Sequence, residues 1–166
     1  MGLRNPFRMT ARPGTNELWI ADVGWNGWEE INRVDAPLGS IENFGWPCYE
    51  GAAQQSGYAS RTLCQNLYAG SVPPNMLLRA PYYAYSHSEQ VVAGDGCGTG
   101  GSSITGIAFN TSASYPAEYQ GALFFADSTR KCVWTMFADA SGNPNPASRQ
   151  AFVTKSSGRV VDLSMG

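Results

Sequence analysis

Short apolar runs separated by polar turns dominate the chain, and two of these runs end in the same Ala-Asp pair. Leu18–Asp22 reads LWIAD, and Leu123–Asp127 reads LFFAD. Each follows a strand-like run and a turn with proline, and each precedes a polar turn and another apolar run. Apolar runs of this length between such turns are typical of β-strands. The pattern predicts a unit of three antiparallel strands that occurs twice.

The repeat predicts the fold class. The expected strands are 3–11, 18–22 and 30–34 in the first unit, and 103–109, 123–127 and 132–137 in the second. A further apolar run at 160–166 resembles the start of another unit. Repeated units of short antiparallel strands are typical of β-propellers, whose blades take about 40–50 residues. We therefore predict an all-β section of a larger propeller, with two antiparallel blades and the start of a third.

A long segment separates the two units. Residues 36–101 are rich in Gly, Ser, Tyr and Pro and hold three of the four cysteines. Loops of this length are often functional, so the segment is predicted as an insertion that covers the site-bearing face, or as one that packs only on itself. The predicted organisation is then a first blade section, the insertion, a second blade section and the start of the next blade, at 1–35, 36–101, 102–159 and 160–166.

Composition narrows the classes of partner. The 166 residues are 43% hydrophobic and 14% charged, which fits one folded domain. A net charge of −2 provides no basic surface for nucleic acid, and no run is long and apolar enough for membrane insertion. The composition favours a small or neutral partner.

The four cysteines predict disulfides. Cys48, Cys64, Cys97 and Cys132 lack the spacing of a zinc site, and only one histidine accompanies them. We expect Cys48 to pair with Cys64 and Cys97 with Cys132, with four free thiols as the alternative. Disulfides form in oxidising compartments, so a secreted or periplasmic protein is expected.

Two polar groups lie at predicted strand ends. Arg4 and Asn5 precede a proline and can present a guanidinium fork and an amide to a planar carboxylated ligand. The alternative is a surface arginine beside a turn asparagine. These residues are candidates for ligand binding.

The stretch ADVGWNGWEEI carries a glycine, two tryptophans and two carboxylates. Glu29 and Glu30 are adjacent, so in a strand they point to opposite faces and do not form an acid and base pair. Gly24 allows main-chain carbonyls to be exposed, and carbonyls with carboxylates are ligands that calcium prefers. The alternative is a hairpin with packed tryptophans and solvated glutamates.

His87 is the only imidazole in the chain and is a candidate general base. Its polar neighbours instead favour an exposed loop. No motif for acyl transfer, nucleotide hydrolysis or nicotinamide binding occurs in the sequence.

Four ordered motifs resemble the soluble glucose/sorbosone dehydrogenases. They are Leu3-Arg4-Asn5-Pro6, Glu17 to Gly24, Glu29-Glu30-Ile31-Asn32 and Asn43-Phe44-Gly45-Trp46-Pro47. The resemblance continues through GSSITG at 101–106 and GALFFAD at 121–127. It implies a central section of a six-bladed propeller that uses pyrroloquinoline quinone (PQQ) and calcium. The implied reaction is oxidation of an aldose sugar at its anomeric carbon.

The resemblance also assigns site residues. Arg4 and Asn5 match the pair that contacts PQQ, and Gly24 and Trp25 match two positions whose carbonyls hold the calcium of the cofactor. Glu30 and the carbonyl of Phe44 match part of a second, structural calcium site.

Three departures from the family pattern limit what this chain does alone. Trp25 replaces a proline and Phe7 a glutamine found in many members. The catalytic histidine of the family belongs to an earlier blade, and His87 does not match it. We expect no catalytic residue here, and no activity from this chain in isolation.

The same motifs occur in the propeller of the Hedgehog-interacting protein group, which acts by binding. A calcium-bearing, non-catalytic recognition module is therefore one alternative. Another is a structural section that assembles through its open strand edges. The expected partners are a sugar and the remaining blades, or other copies of the chain.

Overall fold

The computed structural model describes residues 1–39 and 41–165 and shows an all-β protein. Ten strands and one short α-helix form along the described chain: β1 Pro6–Ala11, β2 Leu18–Asp22, β3 Trp28–Val34, β4 Tyr49–Glu50, β5 Ala53–Gln54, α1 Thr62–Tyr68, β6 Tyr83–Ser86, β7 Ile104–Phe109, β8 Leu123–Asp127, β9 Cys132–Met136 and β10 Gln150–Val153. Single 3₁₀ turns lie at Pro74–Met76, Ala117–Tyr119 and Pro146–Ser148. None of the described helices is long and apolar enough to traverse a bilayer.

Two four-stranded antiparallel sheets form the blades. Their strand orders are β1-β2-β3-β6 and β7-β8-β9-β10. Both sheets pair the aspartate of the repeated Ala-Asp with the first residue of the blade: Asp22 lies opposite Pro6, and Asp127 opposite Ile104. The repeated aspartate therefore has the same pairing partner position in both blades, as the repeat in the sequence predicts.

Each blade has a fourth strand that the sequence pattern does not show. β6 pairs with β3 and lies within residues 36–101, the segment predicted as an insertion. β10 completes the second blade in the same way. Both strands have only four residues, YAYS and QAFV, and neither alternates between apolar and polar positions. The first blade therefore takes its last strand from the predicted insertion.

The main core lies between the blades. It combines side chains from both sheets that are almost fully buried, among them Trp19, Ile31, Tyr85, Ile107, Phe125 and Trp134. The rings of Phe125 and Trp134 stack with centroids 5.4 Å apart. Burial of this apolar and aromatic surface holds the two sheets together.

The structure confirms both predicted disulfides. Cys48 bonds Cys64, which joins the β4–β5 hairpin to helix α1. Cys97 bonds Cys132, which ties the loop before β7 to the start of β9. The seven-residue helix itself is not predicted from the sequence.

Residues 160–165 contain no strand in the described structure. They lie along the second blade, where the hydroxyl of Thr105 donates to the carbonyl of Val160 at 2.6 Å. Val160, Leu163 and Met165 pack on the apolar face that contains Phe124. The start of a third blade stays a prediction, and its last residue, Gly166, lies outside the described residues.

Candidate functional site

The Ala-Asp repeat fixes the chain just before the first strand of each blade. The Asp22 carboxylate accepts hydrogen bonds from the backbone N–H groups of Arg4 at 2.9 Å and Asn5 at 2.6 Å. In the second blade, Asp127 accepts from the N–H of Ser103 at 2.9 Å. Burial raises the pKa of Asp22 although the two amides lower it. Arg4 and Asn5 are therefore held at the strand end, as the sequence predicts.

Arg4 meets the loop that follows β2. Its Nη1 donates to the carbonyl of Val23 at 3.1 Å and to that of Gly24 at 2.7 Å. Its guanidinium lies 5.6 Å from the ring centroid of Trp46. Within the described residues only Nη1 donates, so Nε and Nη2 remain for a ligand. The fold thus places together Arg4 and Gly24, which are 20 residues apart in sequence.

Glu50 organises the loop between β2 and β3. Its Oε1 accepts from four consecutive backbone N–H groups, those of Trp25 at 2.7 Å, Asn26 at 2.9 Å, Gly27 at 2.9 Å and Trp28 at 3.1 Å. Burial by itself raises the pKa of Glu50, but the four hydrogen bonds outweigh it and hold the pKa below its usual value. The carboxylate is therefore ionised at neutral pH.

The role of Glu50 in this loop is not predicted from the sequence. Glu50 lies in the Gly- and Ser-rich segment and matches none of the four family motifs. Its partners are 22 to 25 residues earlier in the chain. No local pattern predicts that contact.

Gly24 is required by a close backbone approach. A β-carbon at this position would lie 1.6 Å from the carbonyl oxygen of Trp28. Any side chain would therefore open the loop. The glycine is needed because the backbone passes so close to Trp28, and its φ angle is not in the left-handed region.

Three aromatic rings form an open surface beside Arg4. The ring centroids of Trp25, Trp46 and Tyr58 lie 5.6 to 5.9 Å apart. Trp25 remains 45% exposed. The surface offers flat apolar contact next to a guanidinium, which suits a planar anion.

Glu30 is the centre of a second polar group, next to the β4–β5 hairpin. Its Oε1 accepts from the N–H of Gly51 at 2.6 Å, and its Oε2 accepts from Nδ2 of Asn32 at 3.0 Å. Burial raises the pKa of Glu30 to about 7 despite these bonds. Oδ1 of Asn32 is buried and has no hydrogen-bond partner among the described residues.

Phe44, the other residue predicted for this second site, is 2% exposed. Its N–H donates to the carbonyl of Met1 at 3.0 Å. Within the described part of the chain, the Glu30 carboxylate is hydrogen-bonded to Asn32 and Gly51 and not to Phe44.

Glu29 lies between the blades. It is fully buried, its Oε1 lies 2.8 Å from Nε2 of His87, and its Oε2 accepts from the N–H of Ile104 at 2.9 Å. The prediction that Glu29 and Glu30 serve opposite faces is confirmed. The alternative of solvated glutamates is wrong, since both are buried in the sheet.

His87 is not in an exposed loop, contrary to the sequence prediction. Only 14% of its side chain is exposed, and it contacts the buried carboxylate of Glu29. The backbone N–H of His87 also donates to the carbonyl of Gly27 at 2.9 Å. The imidazole therefore pairs within the first blade with the carboxylate whose other oxygen reaches Ile104 of the second blade.

Within residues 1–39 and 41–165, no three His, Cys, Asp or Glu side chains are grouped as metal ligands. A cation at either predicted site would have to use carbonyl and amide oxygens as well as carboxylates. Calcium accepts such a mixed oxygen set.

Comparison with known proteins gives three matches. The family model described as glucose/sorbosone dehydrogenase matches residues 1–166. The aldose sugar dehydrogenase YliI of Escherichia coli K12 is 32% identical over 73 residues, which are 44% of this chain and 19% of that protein. The PQQ-bound aldose sugar dehydrogenase from Streptomyces coelicolor matches in structure with a TM-score of 0.50 and 20% identity.

The structural match covers 88% of this chain and 30% of the Streptomyces protein. The chain therefore spans less than a third of the relatives it matches. At this identity the likeness concerns the fold, and it confirms the predicted all-β propeller section.

Proposed function

Because the chain belongs to the glucose/sorbosone dehydrogenase family, we propose that it is the central section of a PQQ-dependent aldose dehydrogenase with six blades. In this proposal it supplies ligands for the cofactor and for calcium, but no catalytic base. One observation carries the proposal: Arg4 and the Gly24 carbonyl meet at 2.7 Å at the blade edge. The sequence resemblance assigns these two residues to neighbouring parts of one cofactor site.

Arg4 and Asn5 suit the cofactor. PQQ is a planar quinone with carboxylates, and a guanidinium with free Nε and Nη2 matches a carboxylate in two-point geometry. Asp22 holds the main chain of both residues in place. The neighbouring rings of Trp25 and Trp46 add flat apolar surface.

Gly24 and Trp25 suit the calcium of the cofactor through their carbonyls. The N–H groups of Trp25 and Asn26 point at Glu50, so the carbonyls of the same peptides point to the opposite side. The Gly24 carbonyl accepts from Arg4 in the structure. With the cofactor and its calcium bound, the Arg4 guanidinium would therefore turn from the Gly24 carbonyl towards the cofactor.

Glu30 and Phe44 are proposed for the second, structural calcium. The unpartnered oxygen of Asn32 and the raised pKa of Glu30 support this assignment, because a buried cation would compensate both. Asn32 joins the proposed ligands on that basis. The carbonyl of Phe44 is carried over from the family motif.

When bound, PQQ supplies a hydride acceptor for the anomeric carbon of the sugar. In this proposal the residues of this chain bind and orient the cofactor. The candidate base His87 is paired with the buried carboxylate of Glu29, so in this proposal the base comes from another blade.

Other blades have a place to pack. Apolar residues on the outer face of the first blade line an open cavity of about 250 Å³, among them Leu3, Leu18, Ile20 and Ile41. A preceding blade would cover this face. The two disulfides support a secreted or periplasmic location for the protein.

The proposal is tested with the full-length protein, PQQ and calcium, by following reduction of an artificial electron acceptor with aldoses. We expect calcium-dependent PQQ binding and sugar-dependent reduction. Arg4→Ala should weaken PQQ binding at least about tenfold, because a charged hydrogen bond is lost. Arg8→Ala removes an arginine that is paired with Asp162 outside the site, and should bind PQQ like the wild type.

Failure of the full-length protein to bind PQQ would contradict the proposal. Calcium binding without PQQ binding would favour the non-catalytic recognition module instead.

A further inference from the structure

We propose that Glu50 is a positioning residue for the calcium that the Gly24 and Trp25 carbonyls would hold, an inference that rests on the proposed function. Glu50 does not itself contact the ion in this proposal. It acts through the loop of residues 24–28.

The direction of the two carbonyls follows from the hydrogen bonds of Glu50. In a trans peptide, the N–H and the C=O point in opposite directions. The N–H of Trp25 shares its peptide with the carbonyl of Gly24, and the N–H of Asn26 shares its peptide with the carbonyl of Trp25. Both N–H groups donate to Glu50 Oε1, at 2.7 and 2.9 Å. Both carbonyls therefore point away from Glu50, towards the side where Arg4 meets Gly24.

The charge of Glu50 favours a cation on that side. Glu50 is a buried residue, 4% exposed, so solvent screens its carboxylate little. Hydrogen bonds from an amide to an ionised acceptor polarise the peptide and increase the negative charge on its carbonyl oxygen. The two carbonyls that face the proposed ion are thus better ligands than free peptide carbonyls.

Glu50 is itself held by the insertion. Its Oε2 accepts from Nε2 of Gln55 at 2.7 Å, and it lies in the β4–β5 hairpin two residues after Cys48 of the first disulfide. The next residue, Gly51, donates its N–H to Glu30. One hairpin therefore fixes the loop of the first proposed ion and the carboxylate of the second.

The experiment compares wild type, Glu50→Gln, Glu50→Ala and Glu17→Gln in the full-length protein. Two quantities are measured: the calcium concentration needed for PQQ binding, from the absorbance of the quinone, and the hydrogen exchange of residues 25–28 by mass spectrometry. Glu17 is the matched control, since it is an ion-paired, mostly buried glutamate next to the start of β2, whereas the site lies beyond its end.

We expect Glu50→Ala to raise the calcium requirement about 10- to 100-fold, the usual effect of losing a residue that orients metal ligands. Glu50→Gln keeps an oxygen acceptor but loses the charge, and should give a smaller rise of at least about threefold. Exchange at residues 25–28 should be faster in both variants. Glu17→Gln should match the wild type in both measurements.

A folded Glu50→Gln variant with wild-type calcium dependence and wild-type exchange would overturn the inference. Thermal melting establishes folding, and Glu50→Gln decides the matter if Glu50→Ala does not fold. Absence of PQQ binding by the wild type would overturn the proposed function and this inference with it. If the wild type binds PQQ and Glu50→Gln changes neither the calcium requirement nor the exchange, the inference is overturned and the proposed function stands.

Discussion

Buried carboxylates determine the local structure of this protein residue by residue. Asp22, Glu29, Glu50 and Asp127 each accept hydrogen bonds from backbone N–H groups, which compensate the loss of water around a buried charge. Glu30 is less well compensated, because it accepts one backbone N–H and one amide while it lies near two other acids. A titratable group in this position makes stability depend on pH.

The first prediction at this scale concerns Glu30. Burial raises its pKa from 4.5 to about 7, so the folded state binds the proton more tightly than the unfolded chain. Stability of the calcium-free protein should therefore fall as the pH rises from about 4.5 to about 7, by about 3 kcal/mol from this residue. Glu30→Gln should lose this part of the slope and become the more stable form above pH 7. Urea unfolding from pH 4.5 to 8 measures the effect.

Asp22 also has a raised pKa and contributes slope in the same direction, so the variant keeps a weaker pH dependence. Asp162→Asn, at an exposed aspartate, is the control and should follow the wild type. An unchanged slope in Glu30→Gln would show that Glu30 does not titrate in this range. Added calcium should stabilise the wild type above pH 7 more than it stabilises Glu30→Gln.

At the scale of elements, the β4–β5 hairpin connects the insertion with the proposed site. The Cys48–Cys64 bond joins this hairpin to α1, and Tyr68 of that helix donates its hydroxyl to the Cys48 carbonyl at 2.7 Å. Glu50 and Gly51 then reach the loops of the first blade. The hairpin of the insertion therefore supports the loops that carry the proposed site.

Removal of this disulfide should loosen the site. The Cys48→Ser/Cys64→Ser double variant should lose about 3 kcal/mol of stability, because the bond closes a loop of 16 residues. It should also speed hydrogen exchange at residues 25–28. The Cys97→Ser/Cys132→Ser double variant is the matched control, which should be destabilised without faster exchange there. Equal exchange in both double variants would contradict a specific role for the hairpin.

At the scale of the whole described molecule, polar contacts join the blades around the apolar core. Glu29 of β3 holds the first residue of β7, and the buried guanidinium of Arg130 donates to the carbonyls of Ser86 and Glu89 at 2.6 and 2.8 Å. Arg130 also lies 5.1 Å from the ring centroid of Tyr85. These contacts run from one blade to the other, so they couple the two sheets.

Glu29→Ala should weaken this coupling. The change leaves the N–H of Ile104 without a partner and removes the contact of His87. We expect a loss of about 3 kcal/mol in the free energy of unfolding, measured in urea. Asp162→Asn again serves as the control on the surface. A loss below about 1 kcal/mol would show that Glu29 does not couple the blades.

Much of the architecture can be predicted from the sequence, because its signals are local. The Ala-Asp strand ends at Asp22 and Asp127 repeat with their turns, which predicts two blades. The four cysteines allow few pairings, and the predicted one is correct. The motif around Arg4 and Asn5 predicts a strand end, and the structure places these residues there.

The sequence by itself determined the all-β class and the blade repeat, since turn residues and strand runs act over a few positions. It also determined the disulfides and the family, since four cysteines allow few pairings and the family motifs are short. Only the tertiary structure decided the fourth strands, the burial of Glu29 with His87, and the place of Glu50 beneath the loop of Gly24. Those features depend on hydrogen bonds between residues 15 to 75 positions apart. Such contacts form only when the sheets and the insertion pack, so no short pattern in the chain records them.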